Sequence, residues 1–328
     1  MAGVQNHRLA VSVCNAGGLG SLPAAMLSLD ALSSELTQLS TQTNKPYNVN
    51  FFCHVPPKFD PAREQIWRAA LKPYYDELGI DANTIPTGPG RAPFTHEAAG
   101  VLEAFKPAVI SFHFGLPAAE LVARVKSWGS KIVSSATTVE EAVWLEAQGV
   151  DAVIAQGLEA GGHRGHFLDH DLSKQHGTFA LLPQIVQAVT VPVIAAGGIS
   201  DAAGVAAALA LGASAVQVGT AYLLCSEATT SPLHRAALKN AASHTALTNL
   251  FTGRPARGIV NRIMQELGPL SEKSPIFPLS TAAIAPLRAK AESMGSGDFS
   301  PLWSGQNATG CREISAAEMT KALVALIV

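Results

Sequence analysis

Short apolar runs alternate with amphipathic segments along the first two thirds of the chain. Seven runs have the length and composition of strands, at residues 19–22, 47–52, 108–112, 131–135, 151–155, 193–196 and 215–218. Segments with helical periodicity separate most of these runs. Strands that alternate with helices predict a parallel sheet with right-handed crossovers.

Three consecutive units between Asp151 and Thr220 share one pattern, in which an apolar strand ends in glycine and a helix-like segment follows. Parallel barrels build their ligand sites from loops at the carboxyl ends of the strands. We therefore predict that residues 1–225 form a TIM (β/α)8 barrel. A barrel needs eight strands, and residues 2–5 resemble a strand-to-helix loop with no strand in front. The first strand is therefore expected to be truncated, unless another segment supplies the eighth strand.

The alternation stops after Thr220. Residues 229–247, 263–267, 282–294 and 316–328 have helical patterns, and a polar loop containing Arg254 and Arg257 lies among them. We predict that residues 226–328 form a helical substrate or lid domain that packs across the barrel mouth. The two arginines either bind an anion or lie solvated on the surface.

Composition narrows the class of protein. The chain has 328 residues, a formal net charge of -2, 15% charged residues and 6% aromatic residues. No basic block or aromatic platform favours nucleic acid or a membrane surface as a partner. The four cysteines are far apart, as is typical of free thiols in a reducing compartment. The sequence shows no secretory signal and no apolar run of membrane-spanning length, so a cytoplasmic protein is expected.

Glycines at the ends of two consecutive strands predict a phosphate site. Backbone N–H groups of Gly198, Gly219 and Thr220, with the Thr220 hydroxyl, would donate to the phosphate, and Gly197 would let the backbone approach closely. The alternative is that these glycines only form tight turns. No nucleotide-binding Gly-x-Gly-x-x-Gly follows a strand and no phosphate-binding lysine loop is present, so a phosphorylated cofactor such as FMN is favoured.

Histidines at strand ends are the candidates for proton chemistry. His163 follows a strand within a glycine-rich loop, and His113 ends another strand, so both would lie at the catalytic face. His54 is a weaker candidate. A metal held by His113, His163 and Glu159 has no supporting ligand spacing.

Two amide side chains also end strands. Gln156 and Asn50 could each donate to and accept from the heteroatoms of a flavin ring. The alternative is that both amides cap local backbone.

With these segments in place, the sequence resembles the nitronate monooxygenase family, formerly called 2-nitropropane dioxygenases, and most closely its class I members. The resemblance covers essentially the whole chain and is carried by segments 1–3, 15–20, 48–52, 111–115, 159–165, 196–199, 219–220 and 303–306. It implies an FMN-dependent TIM barrel with a helical substrate domain, in which His163 is the active-site histidine and His113 lies near the substrate. The residues expected to line the flavin are Met1, Ala2, Asn50, Gln156, Gly161, Gly162, Gly197, Gly198, Gly219 and Thr220.

The activity that the resemblance implies is oxidation of an alkyl nitronate, such as propionate 3-nitronate, by O2 to a carbonyl compound and nitrite. The expected partners are therefore a small-molecule nitronate and O2, and the chain is expected to be a monomer or homodimer. Two alternatives use the same fold: an FMN-dependent NAD(P)H reductase of quinones or enoyl thioesters, and a flavin-binding protein without catalysis.

Overall fold

The computed structural model describes residues 2–85, 91–240 and 242–327. Its strands are β1 (Gly20–Pro23), β2 (Tyr47–Phe52), β3 (Val109–His113), β4 (Lys131–Ala136), β5 (Ala152–Gln156), β6 (Gly162–His163), β7 (Val193–Ala196), β8 (Ala215–Gln217), β9 (Thr245–Thr248) and β10 (Ala256–Ile259). Its helices are α1 (His7–Asn15), α2 (Leu29–Gln42), α3 (Pro61–Leu78), α4 (His96–Phe105), α5 (Ala119–Ser127), α6 (Val139–Ala147), α7 (Thr178–Ala188), α8 (Ala202–Ala210), α9 (Pro232–Lys239), α10 (Arg262–Glu266), α11 (Ser280–Ser293) and α12 (Ala316–Leu323).

The seven predicted strands form one parallel sheet in the order β1-β2-β3-β4-β5-β7-β8. Neighbouring strands in this order pair in parallel, with helices in the crossovers, and buried apolar side chains of the strands and of these helices pack together in one core. The predicted TIM-barrel class is confirmed in this barrel-like sheet. Because all the strands are parallel, their carboxyl ends meet at one face, and that face carries the site.

The predicted helix over residues 229–247 is wrong in its second half. Helix α9 ends at Lys239, and Thr245–Thr248 forms strand β9. β9 pairs antiparallel with β10, which in turn pairs with β6 in the loop after β5. The threonines of β9 favour a strand, and the partner strand β10 supplies a ladder that local periodicity could not reveal.

A second core lies outside the sheet. Trp67, Leu71 and Tyr75 of α3 pack with Ile284 and Leu287 of α11, so a helix from the first third of the chain joins the C-terminal region. The last helix, α12, packs instead against α1 and α8 beside the sheet. The domain division at residue 225 stays a prediction. Within the described residues, no helix combines the length and the apolar character needed to cross a membrane.

Candidate active site

Two side chains hold the loop after β5 in place: Gln156, the last residue of β5, and Arg164 within the loop. The Gln156 amide donates to the carbonyl oxygen of His163 (2.9 Å) and accepts from the N–H of Gly165 (2.8 Å). The fully buried Arg164 guanidinium donates to the carbonyl oxygens of Gly157 (2.6 Å) and Gln156 (2.8 Å). Both ends of the Gln156 amide therefore hold local backbone, as the capping alternative predicted. A contact between Gln156 and a flavin stays a prediction.

The loop places the imidazole of His163 within a ring of aromatic side chains. The distances from its centroid to the neighbouring ring centroids are 5.9 Å for Phe52, 5.9 Å for Phe114, 5.4 Å for Phe277 and 5.5 Å for Trp303. Nε2 of His163 lies 3.0 Å from the Thr252 hydroxyl oxygen. The described residues offer Nδ1 no hydrogen-bond partner, so this nitrogen is the one left for a ligand.

His113 supports His163 through the backbone. Its Nε2 lies 3.1 Å from the His163 carbonyl oxygen, and its Nδ1 lies 3.0 Å from the Ser135 hydroxyl oxygen. A carbonyl oxygen only accepts, so the Nε2 nitrogen carries the proton and the Ser135 hydroxyl donates to Nδ1. Burial lowers the pKa of His113 to about 3, which keeps the ring neutral. Both ring nitrogens of His113 therefore have partners, and the bond to the His163 carbonyl oxygen helps to hold His163 among its aromatic neighbours.

The surroundings of His163 carry positive charge without a matching anion. Arg91 and Arg254 form no ion pair within the described ranges, and their guanidinium carbons lie 5.6 Å from the centroid of Phe277 and 4.1 Å from that of Phe114, respectively. Burial lowers the pKa of both arginines to about 10. Burial first, and then the charge of Arg91, holds the pKa of His163 well below its usual range. The site is therefore a neutral imidazole in a positive field, which suits an anionic ligand.

Arg257 and His54, which were also named from the sequence, are both buried. Arg257 is 7% exposed and donates to the Leu158 carbonyl oxygen (2.8 Å), so its solvated alternative is wrong. His54 is buried, with its ring centroid 4.8 Å from that of Phe277. Burial of His54 lowers its pKa.

The residues at the ends of β7 and β8 form a cradle of backbone donors that have no acceptor in the described part of the chain. Gly197 and Gly198 have φ angles of 117° and 72°, which favour glycine. A Cβ at Gly197 would lie 2.9 Å from the Thr178 hydroxyl oxygen, so the close packing also excludes a side chain. Among the described residues, no acceptor takes the N–H groups of Gly197, Gly198, Gly219 or Thr220. Free amides beside glycines fit an oxyanion such as a flavin phosphate.

Glu159 is tied to the helix that follows the cradle. Its carboxylate accepts from the N–H of Thr178 (2.8 Å and 3.0 Å) and from the Thr178 hydroxyl (2.9 Å), at the N-terminus of α7. The same hydroxyl lies 2.9 Å from the Gly197 carbonyl oxygen. Glu159 therefore ties the loop after β5 to the N-terminus of α7.

Asn50 lies within β2, two residues before the strand ends, and its amide is only partly engaged. Its Nδ2 donates to the Ser111 hydroxyl (2.9 Å) and carbonyl (3.2 Å) oxygens, while Oδ1 has no partner in the described part of the chain. That oxygen is available to a ligand. Ala2 is partly buried and enters no hydrogen bond with described residues, and Met1 lies outside them.

Sequence reasoning missed five side chains that shape the site: Arg91, Ser135, Thr252, Phe277 and Trp303. None of the five lies at a glycine-rich strand end, which is the pattern from which site residues were predicted. Ser135 is the most accessible to such reasoning, since it lies near the end of β4 at the same face as the other strand ends.

Comparison with known proteins identifies relatives over nearly the whole chain. A family model described as "Nitronate monooxygenase" matches residues 1–325. A nitronate monooxygenase of Paraburkholderia phytofirmans is 41% identical over 98% of this chain and 89% of that protein. One of Pseudomonas aeruginosa is 40% identical over 99% of this chain and 93% of that protein.

Two solved structures are similar to this chain over nearly its whole length. A nitroalkane oxidase from Streptomyces ansochromogenes has a TM-score of 0.89 and 37% identity, covering 99% of this chain and 93% of the other. FabK from Thermotoga maritima has a TM-score of 0.72 and 26% identity, covering 99% of this chain and 89% of the other.

Proposed function

The chain belongs to the nitronate monooxygenase family, and from this premise we propose that it oxidises alkyl nitronates with O2, giving a carbonyl compound and nitrite. One observation carries the proposal. The neutral His163 imidazole lies in an aromatic cage beside Arg91 and Arg254, and within the described ranges its Nδ1 has no partner and these arginines form no ion pair. Such a site favours a compact anion with an apolar substituent, which describes an alkyl nitronate.

FMN is the cofactor that the residues of this chain fit. The free amides of Gly197, Gly198, Gly219 and Thr220 would hold its phosphate, and Oδ1 of Asn50 would accept from its ring. When bound, FMN supplies electron acceptance from the nitronate. Ala2, Gly161 and Gly162 are proposed to line the same cofactor, with Met1 as the family resemblance implies.

His163 would act on the substrate through Nδ1. If the Thr252 hydroxyl donates to Nε2, the proton of the neutral ring resides on Nδ1, which then donates to a nitronate oxygen. If the hydroxyl instead donates to the Arg254 carbonyl oxygen (3.4 Å), Nε2 keeps the proton and Nδ1 is a base. The first arrangement serves a nitronate and the second serves a neutral nitroalkane. Thr252 therefore sets the proton position on His163.

The guanidinium groups of Arg91, over Phe277, and Arg254, over Phe114, would stabilise the substrate charge. A buried charge without a counter-ion is costly, and an anionic substrate would offset that cost on binding. The rings of Phe114 and Phe277 would exclude water around the reacting group. We further propose that residues 226–328, together with α3, cover the substrate. A cytoplasmic location and a monomeric or homodimeric state are predictions of the sequence.

An absorbance spectrum of the purified full chain, followed by propionate 3-nitronate in air with nitrite and O2 assays, tests the proposal. A yellow protein that releases nitrite and consumes O2 supports it. A yellow protein that forms no nitrite but is bleached anaerobically by NADH would replace it with the reductase alternative. A yellow protein that neither forms nitrite nor is bleached by NADH would favour the flavin-binding alternative without catalysis, and a protein that binds no flavin would contradict FMN as the cofactor.

Replacement of His163 tests its direct role. His163→Asn should keep bound FMN, because the cradle amides are unchanged, and should lower turnover on nitronate by at least about tenfold. The matched control is His176→Asn, which alters an exposed imidazole. Wild-type turnover in His163→Asn would remove His163 from the chemistry.

A further inference from the structure

One segment of the C-terminal region touches the loops after β5, β7 and β8. We call residues 304–311 the strap. The strap donates one hydrogen bond to each loop: from Gln306 N to Glu159 O (2.9 Å), from Asn307 Nδ2 to Gly198 O (3.0 Å) and from Gly305 N to the Thr220 hydroxyl oxygen (2.9 Å). The cradle is thus held together by a segment more than eighty residues beyond its last glycine, Gly219.

The strap lies against the cradle with backbone touching backbone. A Cβ at Gly161 would lie 2.5 Å from the Gly305 nitrogen, and a Cβ at Gly310 would lie 1.9 Å from the Ser200 carbonyl oxygen. Neither approach leaves room for a side chain. The strap therefore fixes where the cradle loops lie relative to one another, and its position is not adjustable by side-chain movement.

Asn307 contributes a side-chain contact whose direction is fixed. Its Oδ1 accepts from the N–H of Thr309 (3.2 Å) and from the Thr309 hydroxyl (2.7 Å), so the amide nitrogen is turned to the Gly198 carbonyl oxygen. In a trans peptide the C=O and the following N–H point in opposite directions. Holding the Gly198 carbonyl on the strap therefore turns the N–H of Ile199 away from the strap, and no described acceptor takes that N–H.

We propose that Asn307 is a positioning residue for the cofactor phosphate: by holding the Gly198 carbonyl, it fixes the peptide between Gly198 and Ile199, so that the free Ile199 N–H joins the cradle amides as a donor to an oxyanion. The choice of FMN rests on the proposed function, but the contact between Asn307 and the cradle does not. The ligand chemistry is the phosphate monoester, so a flavin without phosphate should be indifferent to Asn307.

The test compares FMN with riboflavin on the full chain stripped of flavin. Dissociation constants are measured from quenching of flavin fluorescence for wild type, Asn307→Ala and Asn307→Asp. Loss of one hydrogen bond that orients the cradle should raise the FMN dissociation constant of Asn307→Ala about tenfold. Asn307→Asp should raise it further, because a carboxylate cannot donate and repels the phosphate. Riboflavin binding should change less than about twofold in both.

Gln306→Ala is the matched control. It removes the same type of side chain from the neighbouring position, where the side chain is exposed, and keeps the backbone bond to Glu159. Its FMN affinity should equal that of wild type.

Equal losses for FMN and riboflavin in the Asn307 variants would show a general structural role and overturn the proposal. Unchanged FMN affinity in both variants would overturn it as well. A wild-type protein that binds riboflavin as tightly as FMN would refute the phosphate cradle and the proposal together. Turnover on nitronate enters none of these outcomes, so the proposal and the proposed activity fail separately.

Discussion

Acid should lower the free energy of unfolding partly because His113 titrates. The substitution His113→Gln should remove this contribution to the pH dependence. The native pKa of His113 is about 3, and an unfolded histidine has a pKa of about 6.5. The folded state therefore binds fewer protons than the unfolded state between pH 6.5 and pH 3. The free energy of unfolding is accordingly highest above pH 6.5 and decreases as pH falls toward 3. Between pH 7.5 and pH 5 the two pKa values correspond to a loss of about 2 kcal/mol. Because the ring is partly open to the site, about 1–2 kcal/mol is expected.

The assay is urea unfolding of wild type and His113→Gln at pH 7.5 and pH 5. Glutamine keeps a donor for the His163 carbonyl oxygen and does not titrate. The variant should therefore lose about 1–2 kcal/mol less than wild type across the interval, and this double difference cancels the fixed cost of the substitution. His176→Asn, at an exposed position, is the control. An identical pH dependence in wild type and His113→Gln would show that the native ring accepts a proton, and would refute the neutral tautomer.

Three further substitutions test the site. Thr252→Val removes the partner of His163 Nε2 and should lower kcat about 5- to 10-fold with FMN retained, while Thr252→Ser should restore it; equal kcat in all three proteins would contradict this role. Arg91→Gln should raise the KM for nitronate about tenfold or more, with Arg91→Lys less affected, because the charge stabilises the anion; an unchanged KM would exclude an electrostatic role. Arg164→Met leaves the carbonyl oxygens of Gln156 and Gly157 without their donor and should lower the free energy of unfolding in urea by about 2–5 kcal/mol. A decrease below about 1 kcal/mol would mean that water replaces the guanidinium.

The parallel sheet could be predicted from the sequence because each of its strands is a compact apolar run followed by glycine or a helix. The strands of the small antiparallel sheet were not predictable in the same way. β6 has two residues, and the four residues of β9 follow closely on an alanine-containing helix. Their pairing is fixed by β10, which lies far along the chain from β6. Such long-range pairing leaves no local pattern.

The residues of the site also differ in whether the sequence alone could bring them together. His163, His113 and the cradle glycines stand at strand ends, so the geometry of a parallel barrel was enough to bring them together. Thr252 and Phe277 come from the C-terminal region, and their approach to His163 depends on how that region packs. The sequence also offered no means to assign the His113 tautomer, which follows from the acceptor carbonyl of His163.

The packing of α3 against α11 has a consequence for synthesis. The Trp67 indole nitrogen donates to the Ser280 carbonyl oxygen (3.3 Å), across a separation of 213 residues. The ribosome therefore synthesises α3 long before α11, the helix that packs against the apolar face of α3. During that interval Trp67, Leu71 and Tyr75 are exposed, and exposed apolar surface on a nascent chain promotes aggregation. Premature termination anywhere before α11 would leave this face permanently uncovered, so truncated chains should depend on chaperones far more than the complete protein does.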